Sequence, residues 1–187
     1  DPKKLRKKYT PPRHPWQGSR ILAAKELIKE YGLKNKKEIY KAQSLLRNFT
    51  KQAKNIIALK SIQGEKEKKQ LLSRLENLNL LSKDASLEQV LGLTINNILN
   101  RRLQTLVYKK GFAKNVEQAR QFIVHGHITI KGQKINVPGY LVKLDEEFYI
   151  DFVKSSSLSN PEHPELLLKE KVEIKKEVNP NIWGKID

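Results

Sequence analysis

The chain has 187 residues, with 37 Lys+Arg against 20 Asp+Glu, a formal net charge of +17 and no cysteine. Disulfides, thiolate nucleophiles and cysteine-based zinc sites are thereby excluded, and no apolar run approaches the roughly 18 residues needed to span a membrane. The charge is unevenly spread: residues 1–60 hold 17 basic against 4 acidic side chains, 61–100 hold 5 of each, 101–144 hold 9 against 1, and 145–187 hold 6 against 10. Two basic blocks flanking a neutral one fit two faces that grip a polyanion. The alternative is a basic amphipathic helix lying on anionic lipid, which the scattered basic positions do not favour.

Residues 1–18, DPKKLRKKYTPPRHPWQG, carry four prolines and almost no aliphatic periodicity. Such a segment cannot bury enough apolar surface to offset its ordering entropy, so it is expected to be a basic arm, disordered until bound. Lys3, Lys4, Arg6, Lys7, Lys8 and Arg13 would follow phosphates, and Tyr9 and Trp16 could stack on bases. From Ser19 the pattern turns helical. Ile21, Leu22, Ala24, Leu27, Ile28 and Tyr31 lie at i, i+3/i+4 spacing, Arg20 sits beside them, and Gly32 is a stop signal. Asn35 and Glu38 read as a capping-box variant opening a longer helix with the stripe Ile39, Ala42, Leu45, Leu46, Phe49, Ala53, Ile56 and Ile57. Gly64 is expected to break it. Leu71, Leu72, Leu75, Leu78 and Leu81 mark a third helix, and Ser86 with Gln89 caps a short fourth. These leucines form the core of a helical domain over 19–100. Outside the stripe of the second helix lie Lys36, Lys37, Lys41, Arg47, Lys51 and Lys54, with few acids in reach. A solvated face normally mixes signs for i,i+4 pairing, so a single-sign face points to phosphate contact.

A second module is expected over 101–153. Leu99, Leu103, Leu106 and Val107 predict one helix ended by Gly111, and Val116, Ala119, Phe122 and Ile123 another ended by His125-Gly126. HITI (127–130) and QKINV (133–137) alternate about Lys131-Gly132, a two-residue hairpin signal, although positive φ is costly for a lysine. YLV (140–142) and EFYIDF (147–152) suggest two more strands. The basic side chains of 101–142 are Arg101, Arg102, Lys109, Lys110, Lys114, Arg120, Lys131 and Lys134. Residues 154–187 are expected to be an extended tail with packing positions at Leu166–Leu168, Val172, Ile174, Ile182 and Trp183. The fold class is therefore α+β: a helical domain, a small module of two helices and a short antiparallel sheet, and extended termini.

Positive signs of catalysis are absent. His125 and His127 have no third ligand at useful spacing, so no metal or other cofactor is expected. No phosphate loop, dinucleotide fingerprint or nucleophile elbow occurs, so no small-molecule substrate is implied. Asp145, Glu146 and Glu147 look like a turn before a strand and not a tuned acid/base pair.

The run RRL, VY, KGF, EQARQFI, HGHI, KGQKI and PGYLV between 101 and 142 resembles the RNA-binding module named after the fourth protein of the small ribosomal subunit. YTPPRHPW, SRILAAKEL and LLRNFTKQAKNII are similar to that ribosomal protein family in its archaeal form, so the likeness covers about residues 1–170. The resemblance implies a cytoplasmic, structural component of the small subunit that binds 16S rRNA early, near a multi-helix junction. It also implies nucleation of subunit-body assembly, neighbouring small-subunit proteins as partners, and a place beside the channel by which mRNA enters, with a contribution to translational accuracy. Carried over by position, Arg101, Arg102, Lys114, Arg120, His125, Lys131 and Lys134 would face RNA. Many members have Asn where this chain has Lys131 and Asp where it has Gln104. Rival readings are a non-ribosomal small-subunit assembly factor and an RNA-modifying enzyme bearing the module as an accessory, for which 18–100 is too short and too leucine-periodic.

Overall fold

Apolar side chains at helical spacing draw three long helices together: α1 (Gly18–Tyr31), α2 (Lys36–Ala58) and α3 (Ile62–Asn77). The computed structural model describes residues 7–59, 61–83, 85–160 and 163–164. Phe49, Ala53 and Ile56 of α2 pack with Leu71 and Leu75 of α3 and with Val90 of the short α4 (Leu87–Leu91). One turn earlier, Ile39 and Ala42 meet Ala24, Tyr31 and Leu33, together with Ile98 and Leu99 of α5 (Ile95–Asn100). Gly64 does not end α2. It lies in the first turn of α3, where its N–H donates to the Ser61 hydroxyl at 3.2 Å. Neither Asn35 nor Ser86 caps through its side chain, and Glu38 is turned elsewhere.

A second core gathers α6 (Leu103–Lys109), α7 (Val116–Val124) and a three-stranded antiparallel sheet of order β2-β1-β3. The strands are β1 (Ile128–Ile130), β2 (Gln133–Lys134) and β3 (Ile150–Phe152). Leu103, Val107, Ala119, Ile123, Ile128 and Ile150 are almost entirely enclosed there. The hairpin turn is Lys131-Gly132, at φ 51° and 79°, the pair of left-handed residues that a twist-compatible two-residue turn requires. The fold is α+β, as the patterning implied.

β2 holds only the first two residues of QKINV and α3 ends at Asn77, short of Leu81; three further elements differ from the expected ones for identifiable reasons. The helix predicted across Leu99 to Val107 is two helices, because the chain opens at Arg101-Arg102 to run beside 140–142. Leu103 N–H donates to Tyr140 O at 2.8 Å and Val142 N–H to Arg101 O at 3.1 Å. YLV is accordingly no strand of the sheet but an isolated bridge pairing Leu141 with Arg102. The strand expected from 147 begins only at Ile150, because Leu144–Glu147 forms a helical turn, α8, in which the Glu146 carboxylate accepts the Lys143 N–H at 3.2 Å. Beyond β3, a 3-10 turn at Ser157–Ser159 places Leu158 in the second core. The packing positions expected at Leu166–Leu168, Val172, Ile174, Ile182 and Trp183 lie outside the described residues.

Candidate nucleic-acid interface

The basic side chains separate into two populations. Arg101 and Arg102, at the opening between α5 and α6, are only 7% and 6% exposed. Arg101 Nη1 meets Glu147 Oε2 at 2.7 Å, and its Nη2 donates to Val142 O at 3.2 Å. Arg102 Nη2 lies 2.7 Å from Glu38 Oε2, while Arg120 Nη2 lies 2.7 Å from Glu38 Oε1. One carboxylate from α2 therefore holds two guanidiniums from the second module. Arg120 Nη1 also donates to Gln104 Oε1 at 3.3 Å, and the enclosed Gln104 Nε2 bridges Gly32 O and Val116 O, each at 3.0 Å. Gly32 has φ 54°, and a Cβ there would sit 2.9 Å from that nitrogen. The glycine thus lets the end of α1 approach α6. Burial alone would raise the Glu38 carboxyl, but hydrogen bonds from Arg120 and Arg102 and their charges outweigh it and hold it below its ordinary value.

This corrects the expectation that Arg101, Arg102 and Arg120 present their charge outward. Two are enclosed and the third is half-buried, and all three spend their guanidiniums on internal partners. The reason is the opening of the helix at Arg101-Arg102, which turns both side chains inward against Glu147 and Glu38. Sequence reasoning assigned Glu38 to a cap and Gln104 to a substitution within the motif. Their true role depends on contacts 64 and 72 residues away in the chain, for which local spacing carries no signal.

The second population faces outward. Lys37, Lys41, Arg47, Lys51 and Lys54 of α2 are exposed and Lys36 is half-buried. At 100° per residue they cover an arc of roughly 140°, opposite the apolar stripe. None of the five exposed cations forms an ion pair with another described residue. The basic arm leans on this same face: Tyr9 lies 6.2 Å from Tyr40, ring centre to ring centre, and Thr10 N–H donates to the Ser44 hydroxyl at 2.9 Å. The described part of the arm is thus anchored on α2, where disorder was expected. Lys7 and Lys8 add to its charge, while Arg13, Trp16 and Arg20 are exposed where the arm enters α1. Lys3, Lys4 and Arg6 lie outside the described residues.

On the second module Lys109 donates to Asn100 Oδ1 at 3.0 Å, and Lys110 to the Glu147 carbonyl. Lys114 is half-buried, and its backbone N–H donates to Gln118 Oε1 at 2.8 Å. His125 is exposed and stacks on His127, whose Nδ1 is 2.8 Å from the Ser156 hydroxyl. Lys131 and Lys134 are exposed on the hairpin, and the Lys134 stem lies across Gly126 where a Cβ would leave it no room. Among the described residues no group of three or more His, Asp or Glu could hold a metal ion, and no helix is long and apolar enough to cross a membrane.

A family model described as the S4 domain matches residues 101–148. That assigns the second core, with its buried arginines and exposed hairpin, to a recognised module. Along most of its length the chain is also similar to small ribosomal subunit protein uS4 of three archaea. It is 51% identical to that of Methanococcus aeolicus over 166 residues, covering 88% of this chain and 94% of the relative. It is 51% identical to that of Hyperthermus butylicus over 156 residues (83% and 89%), and 46% identical to that of Nanoarchaeum equitans over 175 residues (92% and 97%). The chain belongs to the family of small ribosomal subunit protein uS4, in its archaeal form, a family of ribosomal proteins and not of enzymes.

Proposed function

We propose that the chain is a structural component that binds 16S rRNA directly, with the outer face of α2 and the hairpin side of the S4 domain as its two contact surfaces. The observation that carries this reading is the row Lys37, Lys41, Arg47, Lys51 and Lys54, exposed and uncompensated among the described residues. Uncompensated cations on a folded surface repel one another, and phosphates are the partner that cancels them. Specificity would come from the shape of folded RNA, since lysines position a phosphate backbone without reading bases. In the same reading the protein acts in the cytoplasm, nucleates the body of the subunit beside other small-subunit proteins, and lies near the channel by which mRNA enters.

Filter binding of the full chain to a 16S rRNA fragment tests the central claim. If on the order of ten phosphates are neutralised, log affinity falls against log salt with a slope of roughly −7 to −9. A nearly flat dependence would sink the reading. Crosslinks from Lys41, Lys51 or Lys131 to rRNA in intact small subunits would support the two surfaces, and crosslinks only to protein would count against them.

A further inference from the structure

The end of α8 carries two large aromatic side chains that no core uses. Phe148 is 79% exposed and Tyr149 is 56% exposed, and exposed aromatics side by side are uncommon on a surface that only has to be soluble. The Tyr149 backbone is nonetheless tied down on both sides. Tyr149 N–H donates to Glu146 O at 3.1 Å, and Tyr149 O accepts the Lys131 N–H at 3.2 Å. The Tyr149 ring has Lys131 Nζ 5.5 Å from its centre, and Lys110 reaches the neighbouring Glu147 carbonyl.

The acids around the pair decide which partner fits. Glu147 is turned inward onto Arg101, and the Glu146 carboxylate accepts the Tyr140 hydroxyl at 2.9 Å together with the Lys143 N–H. Asp151 and Lys134 are both exposed and lie in register with Thr129 on opposite sides of β1, a full strand apart. Asp145 is the exposed carboxylate left on α8. What faces outward is therefore two exposed aromatic rings in sequence, Tyr149 with Lys131 over its face and Lys110 held at the preceding Glu147 carbonyl, which suits bases flanked by phosphates. An apolar protein surface would have to desolvate both ammonium groups without neutralising them.

We infer that Phe148 and Tyr149, with Lys131 beside them, form a platform on which unpaired RNA bases stack, giving the S4 domain a preference for single-stranded segments over duplex. This rests on the proposed RNA binding and deepens it. Duplex RNA offers its phosphates to lysines but keeps its bases stacked on each other, so only unpaired nucleotides can use the rings.

The test compares the full chain with a Phe148→Leu/Tyr149→Leu variant on two probes, a short oligoadenylate and an RNA duplex of the same length. Leucine keeps apolar bulk and removes the π-face, and both positions are exposed, so thermal melting should not change. Affinity for oligoadenylate is expected to fall roughly tenfold, the loss of one or two stacked bases, while duplex affinity stays within about twofold. Tyr149→Trp should retain the oligoadenylate affinity. Equal losses on both probes, or no loss on either, overturn the platform. Unchanged oligoadenylate binding with weakened association with small subunits would assign the pair to a protein neighbour and overturn it too. If the unaltered chain bound neither probe, the platform would fail, whereas the proposed rRNA binding stands or falls separately on the 16S fragment.

Discussion

Arg102 and Lys41 belong to equally basic stretches of the chain, yet the fold uses them in opposite ways. The 101–120 segment turns its three arginines inward, where Glu38 and Glu147 compensate them and Gln104 ties in the end of α1. The α2 face leaves five exposed cations that form no ion pair with a described carboxylate. Guanidinium suits the first task, because its planar fork holds a carboxylate in a fixed orientation. The outer face carries four lysines and one arginine, whose exposed, hydrated charges can each meet a phosphate. Removing an inner charge should therefore change stability, and removing an outer one should change only binding.

Glu38→Ala should break that contrast most severely, since it leaves the Arg102 and Arg120 guanidiniums facing each other without an anion. A loss of about 3 kcal/mol in urea unfolding is expected, the low end for removing one partner of a buried pair. A change below about 0.5 kcal/mol would mean that the triad is merely superficial. The same carboxylate sets an acid dependence. Its folded value is held below the ordinary one of about 4.3, so its contribution is present above that pH and fades as pH falls through it towards the lowered folded value. Stability measured from pH 6 down to pH 3 should drop more steeply in the unaltered chain than in Glu38→Gln. Parallel curves would refute the assignment.

Gln104→Leu comes next in size. It strips Gly32 O and Val116 O of their shared donor in an enclosed setting, at about 2 kcal/mol. Lys41→Ala/Lys51→Ala is the matching change on the outer face. Unfolding free energy should move by less than about 0.5 kcal/mol, while the salt slope for rRNA binding should shrink by roughly 1.4 to 1.8 for two lost phosphate contacts. A stability loss with an unchanged slope would place these lysines with the inner group.

Much of this architecture was legible because it is local. The stripe of α2, the left-handed Gly32 after α1 and the Lys131-Gly132 hairpin all follow from spacing over a few residues. The inward turn of Arg101 and Arg102 was not, because an arginine in a basic run reads the same whether it faces water or a carboxylate supplied by a distant helix. The helix break between them was hidden for a related reason. Leu99, Leu103, Leu106 and Val107 keep helical spacing, but Leu99 serves the first core and Leu103 the second. The backbone bonds that open the chain come from residues 140 and 142. Phe148 and Tyr149 fall within the strand that EFYIDF suggests, and only the helical turn of α8 shows that both are left outside.

The smallest expected effect concerns Lys131, which stands in the left-handed region at φ 51° beside Gly132. A lysine side chain gains nothing from that conformation, whereas an asparagine tolerates it through local hydrogen bonding. Lys131→Asn should therefore raise stability by about 0.5 kcal/mol while weakening rRNA binding by removing one cation from the hairpin surface. Opposite signs in the two measurements would mean that the turn carries backbone strain in order to keep an ammonium group at its tip. If stability fell instead, the Lys131 contact with the Tyr149 ring would outweigh the backbone strain, and the lysine would belong with the inner, structural charges.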